Sequence, residues 1–175
     1  MDEDQPKPTR PGPGHAPPID PRARIGHVHL KVSDIDRALG FYRDVLGFEV
    51  QQRGPGVAFV SAGHYHHHVG LNTWESRGGS PPPPRTTGLY HVAILYPTRR
   101  ALAAALARVI EARIPLDGAA DHGVSEAIYL RDPDGNGLEL YWDRPADAWP
   151  RDAAGRIAMS TAPLDLDALL ASAAG

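Results

Sequence analysis

Nine histidines and no cysteine set the chemistry open to this chain. Without thiols there are no disulfides, no thiolate metal sites and no cysteine nucleophile. Neutral imidazole is the commonest metal ligand. Two histidines, His27 and His91, open similar phrases, His27-Val-His-Leu and His91-Val-Ala-Ile. A third group, Glu139, lies between Leu138 and Leu140, just after the turn signal Asp132-Pro-Asp-Gly-Asn-Gly. Strand alternation puts Glu139 on the face opposite the two leucines. A carboxylate buried there unpaired is costly, and a cation would offset that cost. Two imidazoles and one carboxylate make the facial triad of a non-haem Fe(II) site, with open positions for substrate and dioxygen. Zinc takes similar ligands, so the donor set alone does not name the metal. The plainer alternatives are a strand histidine bonded to a carbonyl at positions 27 and 91, and a solvent-facing Glu139 on an edge strand.

The elements that must position these groups read as a tandem repeat. Ile25-Gly-His-Val-His-Leu-Lys-Val and Leu89-Tyr-His-Val-Ala-Ile-Leu-Tyr each alternate as a strand with one buried face. A helix follows each. Ile35, Ala38, Leu39, Tyr42, Val45 and Leu46 recur at helical spacing after an N-cap at Ser33 or Asp34, with Gly47 as the stop. Leu102, Ala105, Leu106, Val109 and Ile110 repeat the pattern before Pro115. Strand-like runs then follow at 48–53, 57–61 and 68–74, and again at 116–120, 126–131 and 137–142. The reading is α+β, βαβββ twice over, with modules at 25–75 and 88–142. A Gly-then-Pro linker through Pro81–Pro84 joins them.

Outside the repeat, residues 1–24 hold seven of the 18 prolines and offer no apolar face, which predicts a flexible tail. Residues 146–175 form an extension whose Leu166, Leu169 and Leu170 predict one short helix docked on the domain. The net charge of −3 argues against a nucleic-acid binder working by bulk charge. No apolar stretch approaches a membrane span, and the acidic, proline-rich start is not a secretory signal. The expectation is a cytoplasmic protein of 175 residues with one domain over residues 25–145.

The phrases His27-Val-His-Leu-Lys-Val-Ser-Asp-Ile-Asp-Arg-Ala-Leu-Gly-Phe-Tyr-Arg-Asp-Val-Leu-Gly-Phe, Gly88-Leu-Tyr-His91 and Asp132-Pro-Asp-Gly-Asn-Gly-Leu-Glu139 resemble the vicinal oxygen chelate superfamily. That superfamily includes glyoxalase I, bleomycin-resistance proteins and extradiol dioxygenases. The resemblance implies two βαβββ modules in a half-open barrel around one divalent metal, with up to four ligands from the first and last strands. Three would be His27, His91 and Glu139. Gly70 falls on the fourth position, where glyoxalase I carries a carboxylate and extradiol enzymes leave the slot empty. The histidine run His64, His66, His67, His68 matches the His-His pair of extradiol enzymes. His67 becomes the acid/base, with His66 or His68 in its place if the register slips by one. His122 and Tyr129 resemble the pair that contacts a substrate hydroxyl, and His29 shares the strand face of His27.

The function so implied is a metal-dependent extradiol ring-cleaving dioxygenase, with a catechol-type substrate and dioxygen as its partners. Fe(II) is the first choice of metal, and Mn(II), Zn(II), Ni(II) and Co(II) stay open. The alternatives are a glyoxalase-like lyase or isomerase using another divalent metal, and a non-catalytic small-molecule binding or resistance protein. An exposed sheet edge would support a homodimer.

Overall fold

A computed structural model describes residues 18–173. The expectation for the proline-rich tail falls mostly on residues outside that range. The elements in chain order are β1 (Val28–Lys31), α1 (Ile35–Tyr42), β2 (Glu49–Gly54), β3 (Val57–Ser61) and β4 (Val69–Asn72). They continue with β5 (Val92–Leu95), α2 (Arg99–Glu111), β6 (Leu116–Asp121), β7 (Ser125–Arg131) and β8 (Gly137–Asp143). A 3₁₀ turn (Ala146–Ala148), β9 (Ala162–Pro163) and α3 (Leu166–Ala171) complete the chain. Among the described residues no helix is long and apolar enough to cross a membrane.

The two sheets repeat one topology. Their strand orders are β1-β4-β3-β2 and β5-β8-β7-β6-β9, with β1 parallel to β4 and β5 parallel to β8. A parallel pair needs a long crossover, which each helix and its hairpin supply. Even the irregularity recurs, as a register shift between Val50 and Gln52 in one sheet and between Leu116 and Gly118 in the other. The fold is therefore α+β, two βαβββ units, with β9 added at the far edge of the second sheet.

Local chemistry fixes the helix ends. Asp34 rather than Ser33 caps α1, accepting from the Arg37 amide at 2.8 Å. Thr98 caps α2 in the same way. The helix at 35 is shorter than the apolar spacing predicts. Beyond Tyr42 the bonds widen, with the Asp44 amide donating to the Leu39 carbonyl and the Leu46 amide to Phe41, before Gly47 turns at φ +86°. Val45 and Leu46 still face inward because these turns remain wound on the core.

One apolar core runs through both units, from Leu30, Leu39 and Leu71 to Leu102, Leu138 and Leu140. Polar ties cross it. Arg108 on α2 donates to the Val45 and Leu46 carbonyls. Asp134, in the β7–β8 turn, accepts from the Ser33 amide and pairs with Arg37. The fully buried Tyr42 donates its hydroxyl to Asp132 at 3.0 Å. Burial, then the Asp132 charge, holds that phenol well above its usual range.

Tyr42→Phe should cost about 2 kcal/mol, the worth of a buried bond to a charged group. For a domain of this size that lowers Tm by ~4–8 °C. The gap between the two proteins should shrink as pH rises above ~10, where the unfolded phenol ionises while the folded one stays protonated. Thermal melts by circular dichroism at neutral and alkaline pH check both parts. A gap that stays constant with pH would contradict the assignment.

Candidate metal centre

The second sheet assembles a line of four polar side chains. Glu139 on β8 stands directly opposite Tyr129 on β7 and Ala93 on β5. Cross-strand partners on one face meet, and the small Ala93 leaves the glutamate room. Tyr129 donates to Glu139 Oε1 at 3.0 Å. Its oxygen lies 2.8 Å from Nε2 of His122, which sits in the β6–β7 turn. On the other side, Glu139 Oε2 lies 3.1 Å from His91 Nε2. Gly137 makes that last contact feasible, since a Cβ there would collide with the Tyr90 carbonyl and crowd His91. Burial, followed by the Glu139 bond and charge, pushes the Tyr129 phenol up to about 12. Tyr129 therefore stays protonated and able to donate. A cavity of ≈ 290 Å³ opens beside His91, Tyr129 and Gly137.

The first sheet gathers imidazoles. His27, just before β1, packs its ring against His67 with centroids 4.3 Å apart. His67 also rests on Phe59 at 4.8 Å, and its Nδ1 lies 2.7 Å from that of His66. Partial burial and then the neighbouring His27 lower the pKa of His67. His68 turns instead to Ser61, with Nδ1 2.8 Å from the hydroxyl. His29 lies between Phe59 and Trp74, and burial lowers its pKa too, with His27 adding to the effect. Trp74 lies just past the end of β4 rather than on it, and its ring is largely exposed.

Register settles which residue of the first unit corresponds to Glu139. Val28 pairs with Val69 and His29 with Gly70, just as Val92 pairs with Leu138 and Ala93 with Glu139. Gly70 therefore occupies the place of Glu139. Its missing side chain is replaced by a ring: a Cβ on Gly70 would lie 2.9 Å from the His29 imidazole.

The predicted ligands thus divide. His91 and Glu139 are together, and His27 keeps company with His67. Among the described residues no group of three or more His, Cys, Asp or Glu side chains is arranged to hold a metal ion. Each imidazole finds neighbours in its own sheet, and both Glu139 oxygens are engaged by Tyr129 and His91. The His91–Glu139 pair nevertheless suits a cation. Two donors each ~2.1 Å from one ion and at right angles stand ~3.0 Å apart, close to the observed 3.1 Å. Among the described residues His91 Nδ1 is buried without a hydrogen-bond partner.

The sequence reading did not single out Phe59 or Gly137. Phe59 looks like ordinary strand alternation, and Gly137 like part of its turn.

Residues 24–140 match the model of the Glyoxalase/Bleomycin resistance protein/Dioxygenase superfamily. The chain belongs to that superfamily. Within it, the chain is 44% identical over 150 residues to the catechol-2,3-dioxygenase of Bacillus subtilis (strain 168), covering 85% of this chain and 52% of that protein. It is 35% identical over 126 residues to the biphenyl-2,3-diol 1,2-dioxygenase 3 of Rhodococcus globerulus, covering 69% and 63%. The chain thus spans about half to two thirds of the length of these relatives. A glyoxalase/dioxygenase structure from Nostoc punctiforme superposes with a TM-score of 0.59 at 22% identity, over 70% of this chain and 92% of that one, and shares the fold.

Proposed function

We propose that the chain is an extradiol ring-cleaving dioxygenase acting on a catechol-type diol. His91, Glu139 and His27 would hold one divalent ion, Fe(II) first among the candidates, with His67, His122 and Tyr129 handling substrate protons. The observation that carries this reading is the unbroken line His122–Tyr129–Glu139–His91. A carboxylate held between a neutral phenol and an imidazole, with a second imidazole behind the phenol, pairs an anionic donor with a proton path. The 44% identity to a protein named catechol-2,3-dioxygenase supports the same reaction class.

A bound ion would supply charge stabilisation and electron transfer to dioxygen. The chain's own residues do the rest. A diol hydroxyl must lose its proton before the ring is rich enough in electrons to be attacked. His67, with its pKa lowered by partial burial and by His27, is suited to accept that proton. Tyr129 keeps its own proton and donates to negative charge at Glu139 or at a substrate oxygen. His122 Nε2 stands behind the phenol, within hydrogen-bond reach of its oxygen, and fixes its direction.

Oxygen consumption with catechol and with 2,3-dihydroxybiphenyl, on chain loaded in turn with Fe(II), Mn(II) and Zn(II), tests the proposal. Uptake with Fe(II) is expected, and no uptake with any of the three would overturn it. His67→Ala should slow uptake by ~10²-fold, the range for losing a general acid/base. Bound metal, measured by elemental analysis, should be unchanged. Loss of metal together with activity would make His67 a ligand instead.

One observation favours a second reading. The three predicted ligands form no ready group among the described residues, as would suit a member that binds a small molecule without metal. A chain that takes up no divalent ion yet binds a catechol would support it.

A further inference from the structure

The segment after β8 passes the β6–β7 turn and reaches β9 beside His122. β9 pairs with the edge strand β6, matching Ala162 with Asp121 and Pro163 with Ala120. Just before it, the Ser160 amide donates to the His122 carbonyl at 3.1 Å. The Ser160 carbonyl lies 3.1 Å from His122 Nδ1, and the Thr161 hydroxyl lies 3.4 Å from the same atom. Gly123, at φ +74°, lets the segment approach. A Cβ there would stand 3.2 Å from the Ser160 hydroxyl and 3.0 Å from Pro150. Beyond β9 the chain is anchored by α3, whose Leu169 is fully buried and whose Ala168 carbonyl accepts from Arg99.

A carbonyl oxygen only accepts hydrogen bonds. The Ser160 contact therefore requires a proton on His122 Nδ1. With Nδ1 committed, Nε2 of the neutral ring carries the lone pair that faces the Tyr129 hydroxyl, 2.8 Å away, and competes with Glu139 Oε1 for the phenol's single hydrogen. We propose that the C-terminal strand is a positioning device for the site, in which the Ser160 carbonyl fixes the tautomer and orientation of His122 so that Nε2 addresses Tyr129. Ser160 acts through its backbone and touches no reacting atom. The inference rests on the reading above, in which His122 and Tyr129 serve the Glu139 centre. Outer partners that orient an imidazole in this way are worth ~10–100-fold in function.

The test uses two variants of the full chain and one spectroscopic readout independent of turnover. Truncation after Met159 removes the contact together with α3. Ser160→Pro keeps α3 but removes the amide that ties the segment to His122. Imidazole ¹⁵N NMR, with the His122 signals assigned by their loss in His122→Gln, should show Nδ1 protonated in the wild type. It should show that fixed tautomer lost in Ser160→Pro and, where it folds, in the truncated chain. Oxygen uptake with catechol and Fe(II) should fall by ~10-fold or more in kcat, with KM for catechol changed by less than about twofold. An Nδ1 that stays protonated in Ser160→Pro would overturn the proposal. So would a released tautomer with unchanged kcat. A wild-type chain inert toward catechol would instead overturn the dioxygenase reading, and the tautomer result alone would then decide whether Ser160 fixes His122.

Discussion

Glu139→Gln is expected to abolish measurable oxygen uptake and to release the bound divalent ion. The substitution keeps shape but removes the one negative charge in the line from His91 to His122. Its amide would present an NH₂ toward either Tyr129 or His91, and that contact must reverse, with the hydroxyl or the imidazole accepting instead of donating. The loss of charge stabilisation is worth several kcal/mol. Taking ~4 kcal/mol, the rate falls about 10³-fold. Elemental analysis after gel filtration, together with uptake assays, checks the result. Retention of a full equivalent of metal would remove Glu139 from the ligand set. Folding should survive, since the leucines flanking it carry the packing of β8.

Leu169→Ala should have the largest effect on stability. This leucine is fully buried although its helix has only six residues and lies near the end of the chain. It packs with the core against α2, flanked by the partly buried Leu166 and Leu170. Truncating a buried leucine costs the transfer of its methyl groups and the cavity left behind. About 3 kcal/mol is expected, or a Tm lower by ~6–12 °C. A shift of a degree or less in a thermal melt would show that α3 undocks readily and that the extension is dispensable to the fold.

The repeat and the strand positions of its candidate residues were legible in the sequence because both follow from short-range rules. Alternation fixed the strand faces, so Glu139 opposite its leucines and Gly70 as its counterpart could be read from parity and the later register agrees. Capping chemistry restricted the start of α1 to two residues, and the structure selects Asp34. What escaped depends on partners distant in the chain. Parity says that His27 shares a face with His29, but not that its ring settles on His67. The turn at His122 gives no local sign of the partner of its Nδ1, a carbonyl 38 residues later. β9 is two residues long and contains proline, so it has no alternation to detect. It exists because the edge of β6 offers it a partner.

The Gly70–His29 contact carries a consequence for how the two halves of this chain can diverge. At equivalent cross-strand positions, one half pairs a large His29 with an empty Gly70, and the other pairs a small Ala93 with a large Glu139. The two couples share one volume in opposite ways. A side chain introduced at 70 alone meets the His29 ring, and a ring introduced at 93 alone competes with Glu139 for its space. Such positions are coupled: a side chain at 70 requires a smaller partner at 29. A carboxylate side chain fits at 70 once the ring at 29 is removed, as in the paired exchange of His29→Ala with Gly70→Glu.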